Sequence, residues 1–188
     1  MRIISGDLKG KKIKYLSSAI TRPLRDFVKE NIFNIITHSS FSNVSLKGSN
    51  ILDLYSGIGS FGIECLSRGA KKTTFVDNDQ KALKILEKNL EELSIKKKSS
   101  IYSLKISSFL ENISKTQRFD IIFFDPPFAL DAYIEELKLI KRLEIFNKDH
   151  LIIIHRENGN EEDLKNIMNI IQYKNYGKSK IIFGNYLT

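Results

Sequence analysis

The run Phe119-Asp120-Ile121-Ile122-Phe123-Phe124-Asp125-Pro126-Pro127-Phe128 limits what this chain can fold into more than any other stretch. Its apolar centre reads as a buried strand over Ile121–Asp125. Two successive prolines cannot continue a central strand, because neither carries an N–H for the ladder. The strand therefore stops at Asp125. A carboxylate, two backbone carbonyls and an aromatic ring are left at its carboxyl end. In open α/β sheets that is the edge at which ligands bind.

The flanking sequence alternates. Strands are expected at Ile51–Tyr55, Thr73–Asp77, Ile101–Ile106 and Leu151–His155, and helices at Ser60–Arg68, Asp79–Leu93, Ala132–Leu143 and Glu162–Ile171. Tyr173–Tyr176 and Lys180–Leu187 form a closing hairpin around Gly177. Strand alternating with helix specifies an α/β fold, a Rossmann-like parallel sheet with helices on both faces. Ahead of it, residues 1–16 read as a β-hairpin turning at Gly6-Asp7-Leu8-Lys9-Gly10. Thr21-Arg22-Pro23 opens a helix, where proline's missing N–H costs nothing. Its stripe of Leu24, Phe27, Val28, Ile32, Ile35 and Ile36 is expected to face the core. The organisation expected is a basic N-terminal hairpin (1–20) on one compact domain (21–188).

Charge points to the partner. The 188 residues carry 30 Lys and Arg against 22 Asp and Glu, a net +8. Residues 1–50 alone hold nine bases and three acids. A basic surface suits nucleic acid, although a lysine-rich coding bias would give the same total. Lys9, Lys11, Lys12 and Arg22 are the candidate phosphate contacts. One cysteine, Cys65, excludes an internal disulfide and a cysteine zinc site. His38, His150 and His155 lack metal-ligand spacing, so no metal is expected. No apolar run approaches the ~20 residues of a membrane span. A monomer in a reducing cytoplasm is expected.

Asp53-Leu54-Tyr55-Ser56-Gly57-Ile58-Gly59-Ser60-Phe61-Gly62 follows the first sheet strand and opens a helix. Its glycines match the G-x-G-x-x-G phosphate-loop pattern, and Asp77 ends the next strand, where an acid can hold ribose hydroxyls. Asp53, just before the loop, suits a cationic ligand better than a pyrophosphate. S-adenosylmethionine, with its sulfonium and ammonium, fits that requirement. At the corner formed by Asp125, Pro126, Pro127 and Phe128, the Asp125 carboxylate and the Pro126 carbonyl are two acceptors for one exocyclic amino group. Phe128 offers a face for an unstacked base.

Together these pieces resemble the small bacterial RNA methyltransferases that modify the exocyclic N2 of a guanine in 16S ribosomal RNA. The likeness runs through Met1-Arg2-Ile3-Ile4-Ser5-Gly6, Thr21-Arg22-Pro23 with Asp26-Phe27-Val28-Lys29-Glu30, Asp53 to Gly59, Phe75-Val76-Asp77 and Asp125 to Phe128. It implies a seven-stranded methyltransferase sheet whose last strand is antiparallel, with S-adenosylmethionine as cofactor and 16S rRNA or the 30S subunit as partner. It also implies a cofactor site of Asp53, Tyr55, Gly57, Gly59, Asp77, Asn78 and Ser107. The chain departs from the family pattern at Asp77, where Glu is frequent, and at Phe128, where Tyr is common. Near Ser107 or Ser108 the family often places Asp or Asn against the adenine amino group. Two other readings stay open: an amino-methyltransferase acting on adenine or cytosine, and a nicotinamide-dependent oxidoreductase.

Overall fold

The computed structural model describes residues 1–15, 26–38, 43–129, 131–159 and 164–187. Its strands form one seven-stranded sheet in the order β3-β2-β1-β4-β5-β7-β6. They are β1 (Asn50–Leu54), β2 (Lys72–Asp77), β3 (Ser99–Ser103), β4 (Phe119–Phe124), β5 (Phe146–Glu157), β6 (Asn169–Tyr176) and β7 (Ser179–Asn185). The first five pair in parallel, and β7 runs antiparallel to both β5 and β6. The sheet expected from the sequence is thus present, antiparallel last strand included.

The helices are α1 (Asp26–His38), α2 (Ser60–Ser67), α3 (Gln80–Glu92), α4 (Ile106–Asn112) and α5 (Tyr133–Leu143). β1 and β4 are buried on both faces, which is why they read as unbroken apolar runs. Ile51, Phe123, Ile153 and Ile181 face a core with α1, α2 and α3. Leu52, Phe124, Ile154 and Ile182 face a second core with α4 and α5. The alternation along each strand assigns its residues to the two layers.

Four local expectations change. The N-terminal hairpin is short: one antiparallel bridge, Arg2 with Lys12, flanked by bonds from Ile3 N–H to the Lys11 carbonyl, Gly10 N–H to the Ile3 carbonyl and Ile13 N–H to the Met1 carbonyl. Between its paired ends the backbone turns to α2: Ile4 and Ser5 N–H donate to Glu64, and Asp7 and Leu8 N–H to Ser67. In α1, Phe27 is 65% exposed, while Lys29 and Phe33 join Val28, Ile32 and Ile36 in the core and Ile35 is half-buried. Ile106 starts α4 rather than ending a strand. The helix expected at Glu162–Ile171 is not formed over its described part. Leu164–Met168 make a turn and β6 begins at Asn169. Leu164, Ile167 and Met168 are buried as their spacing suggests, but a single turn places them there. Thr21-Arg22-Pro23 and Leu24 lie outside the described residues.

Candidate active site

β1, β2 and β4 end side by side. Leu54 is in register with Val76 on one side and Phe124 on the other. One step further brings Tyr55 between Asp77 and Asp125. The expected acids therefore converge at one carboxyl edge.

The chain leaves β1 through a tight turn. Tyr55, Gly57 and Gly59 all have positive φ, at 59°, 53° and 80°. At Gly59 a Cβ would lie 2.4 Å from Leu86 Cδ1, so both the conformation and the space require glycine. At Gly62 a Cβ would lie 2.3 Å from the Phe75 ring; that glycine lets α2 pack on β2. Gly57 differs, with no atom within 4 Å of where its Cβ would be. The loop keeps open space at the first glycine and close packing at the others.

The acids are held by backbone donors. Gly62 N–H donates to Asp53 Oδ2 (2.9 Å). Burial holds the Asp53 carboxyl well above its ordinary range; the Gly62 bond opposes this, and Asp125 and Asp77 add to it. Asp77 accepts from Gly57 N–H (2.7 Å) and Asp79 N–H (2.8 Å), and burial raises its carboxyl too. Asp79 caps α3, accepting from Lys81 and Ala82 N–H. Tyr55 O–H donates to Glu136 Oε2 of α5 (2.7 Å). Asn78 and Ser107 are exposed, Ser107 in the first turn of α4.

The corner after β4 is braced from β5. His155 Nδ1 lies 2.8 Å from Asp125 Oδ1, and His155 Nε2 lies 3.0 Å from Ser179 Oγ. An ionised carboxylate only accepts, so Nδ1 carries the proton. The buried Arg156 donates to the carbonyls of Pro127 (3.1 Å) and Phe128 (2.9 Å), and its guanidinium lies over the Tyr133 ring. Phe128 meets the His155 ring edge-on at 5.4 Å. Pro126 is buried and Pro127 exposed.

His155, Arg156 and Glu136 escaped the sequence reading. Leu151–Arg156 has the same signature as β4, an apolar strand ending in charged groups at the same edge. That signal was available for His155 and Arg156. Nothing local marks Glu136.

The lysines are distributed differently from the acids. Lys9, Lys11 and Lys12 are exposed, but the turn that carries Lys9 rests on Ser67 at the last residue of α2. Since α2 starts at the carboxyl edge, its far end lies at the opposite edge of the sheet. Lys12 pairs back with Arg2, whose carbonyl accepts from Lys29 Nζ beside Ser60. The lysines run along α2 rather than gathering at Asp125. Arg22 lies outside the described residues.

The residues present fit S-adenosylmethionine. The Ser56 hydroxyl, buried in the β1–α2 loop, has no hydrogen-bond partner among the described residues. Gly57 leaves open space, and Asp53, Asp77 and Asp125 bring three carboxyl groups to the same edge. A cation there would favour the ionised form of the buried Asp53.

A mainly parallel seven-stranded sheet, closed by an antiparallel strand and carrying an acid-glycine loop after β1, defines a Rossmann-like methyltransferase. The family described as Conserved hypothetical protein 95 matches residues 1–185, and the chain belongs to that family. A relative named Ribosomal RNA small subunit methyltransferase D, from Buchnera aphidicola subsp. Baizongia pistaciae, is 30% identical over 187 residues, covering 100% of this chain and 91% of its own. The Haemophilus influenzae protein of the same name is 32% identical over 158 residues, covering 84% and 79%. The solved structure of yhhF from Escherichia coli superposes with a TM-score of 0.82 at 26% identity, covering 100% of this chain and 99% of its own.

Proposed function

We propose that this protein methylates the exocyclic N2 of a guanine in 16S ribosomal RNA, using S-adenosylmethionine. The observation that carries this reading is Asp125, a partly exposed carboxylate fixed by His155 where β4 stops, beside the acid-glycine loop. The names of the relatives support ribosomal RNA as substrate. Guanine N2 is favoured by the family resemblance; the pair of acceptors matches the two protons of any exocyclic amino group.

In this reading Asp53, Tyr55, Gly57, Gly59, Asp77, Asn78 and Ser107 hold the cofactor. When bound, S-adenosylmethionine supplies a methyl group made electrophilic by its sulfonium. Asp125 and the Pro126 carbonyl accept from the two N–H groups of the base and draw the nitrogen lone pair out of conjugation. Phe128 stacks on the flipped base. Much of the rate comes from alignment. His155 donates an Nδ1–H hydrogen bond to Asp125 Oδ1 and so orients the carboxylate, whose other oxygen receives the proton that leaves the amine as the methyl group arrives. Arg156 fixes the Pro127 and Phe128 carbonyls, which sets the angle of the loop. Lys9, Lys11 and Lys12 hold phosphates along α2, with Arg22 as a further contact.

The test is transfer of tritium from methyl-labelled S-adenosylmethionine to 30S subunits, naked 16S rRNA and DNA in parallel, with the labelled nucleoside identified. N2-methylguanosine from ribosomal RNA is expected. Label on adenine or cytosine would overturn the guanine assignment. Asp125→Ala should lower turnover by about 100-fold or more while calorimetry shows cofactor binding retained. Near-normal turnover would remove the corner from catalysis.

A further inference from the structure

Of the lysines named from the sequence, Lys9 is carried to the end of α2 farthest from the corner. The surface that does adjoin the corner is built from α1 and the β6–β7 turn. From Asp125 a continuous row of contacts crosses the sheet edge: His155 to Asp125, His155 to Ser179, and Ser179 paired with Tyr176 across the β6–β7 ladder. The row ends on Phe27, whose ring meets Tyr176 edge-on at 5.8 Å. Phe123, Ile153 and Ile181 face the α1 layer, so by alternation Asp125, His155 and Ser179 lie on that side. Phe128 sits against His155 at the start of the row.

Phe27 is 65% exposed although it belongs to α1, whose other large apolar residues turn inward. A single exposed ring needs no explanation. Here, however, two rings from distant segments form one pair beside the candidate reaction corner, among basic groups. Lys174, two residues before Tyr176, projects from the same face of β6 and is exposed, and the exposed Lys178 lies in the turn itself. Aromatic faces beside lysines provide stacking and phosphate attraction together, the combination by which proteins hold unpaired nucleotides.

We infer that Phe27 and Tyr176 form a stacking platform for an unpaired nucleotide flanking the target base, with Lys174 and Lys178 against its phosphates. This rests on the proposed RNA substrate and deepens it. A base extruded toward Asp125 leaves its neighbours unstacked, and the platform gives one of them a new partner. The occupant is single-stranded RNA, because a paired base presents no free face.

Fluorescence anisotropy with a labelled single-stranded RNA oligonucleotide, and with the same strand in a perfect duplex, tests this. Phe27→Ala and Tyr176→Ala should each weaken single-strand binding about tenfold, leave duplex binding unchanged, and combine to less than the product of the single effects. Phe27→Tyr and Tyr176→Phe should retain affinity, whereas Phe27→Leu should not. Lys174→Glu with Lys178→Glu should flatten the salt dependence. Unchanged single-strand affinity in both alanine variants, with wild-type melting temperatures, overturns the platform while leaving the methylation reading intact. A loss seen with assembled subunits but not with naked RNA would assign the pair to a protein contact and also overturn it. A wild-type protein that neither binds nor methylates RNA would overturn the proposed function itself.

Discussion

Asp125 shows how much a single residue depends on its neighbour. Its backbone N–H is tied to Leu54 and its carboxylate to His155. Without the imidazole, the carboxylate can rotate about its side-chain bonds and sample geometries that miss the amino group. His155→Ala should therefore reduce kcat by up to about 100-fold, with the KM for S-adenosylmethionine little changed. His155→Asn, which retains a donor, should recover part of the loss. Equal losses in kcat and cofactor affinity would mean that His155 supports the fold of the corner rather than the aim of Asp125. The Nδ1 proton is the detail to observe, by the ring nitrogen shifts of His155 in the free protein.

Among the elements, α2 does the most joining. All eight of its residues are buried. Gly59 and Gly62 pack it down, and Glu64 faces away from the sheet to hold the N-terminal segment. The fully buried Glu64 carboxylate accepts from Ile4 and Ser5 N–H, takes Arg68 Nε at 2.8 Å, and lies 3.8 Å from Lys29 Nζ. Burial lowers the Lys29 ammonium, and Glu64 works against that. Removing one partner of such a group leaves the other charge buried without compensation. Glu64→Gln should cost about 3 kcal/mol of stability, read as a lower urea midpoint at unchanged slope. A shift near zero would show that the N-terminal segment contributes no stability through this contact.

At the scale of the whole molecule, the sheet is closed by a histidine. His150 accepts from Tyr186 N–H at its Nε2 (2.9 Å), and its Nδ1 faces the Asn147 carbonyl (2.8 Å). Burial lowers its titration from 6.5, against the Asn147 and Lys148 carbonyls. The unfolded chain thus binds a proton more readily than the folded one. The stabilisation is complete above pH 6.5 and is lost as pH falls through the lowered folded value. Asp53 and Asp77, raised in the fold, act with the opposite sign, so the comparison must be with a variant. His150→Gln should show a smaller fall in melting temperature on acidification than the wild type. Identical pH slopes would exclude His150 as the source.

Local pattern was enough for much of this molecule. Alternating apolar strands and helical stripes determined the α/β sheet, the prolines determined where β4 stops, and the glycine spacing determined the loop after β1. These features follow from backbone donors, side-chain period and positive φ, all set within a few neighbouring residues. Leu164, Ile167 and Met168 mark the limit of such reasoning. Their helical spacing is real, yet pairing of the following residues with β7 imposes a turn and a strand. Tertiary structure alone decided that His155 meets Asp125 thirty residues away, that Arg156 clasps the Asp-Pro-Pro-Phe loop, and that Phe27 leaves the core for Tyr176. It also carried the Lys9 turn to the far end of α2. Those pairings depend on which strands become neighbours and which helix covers them, and no local period of two or 3.6 residues encodes that choice.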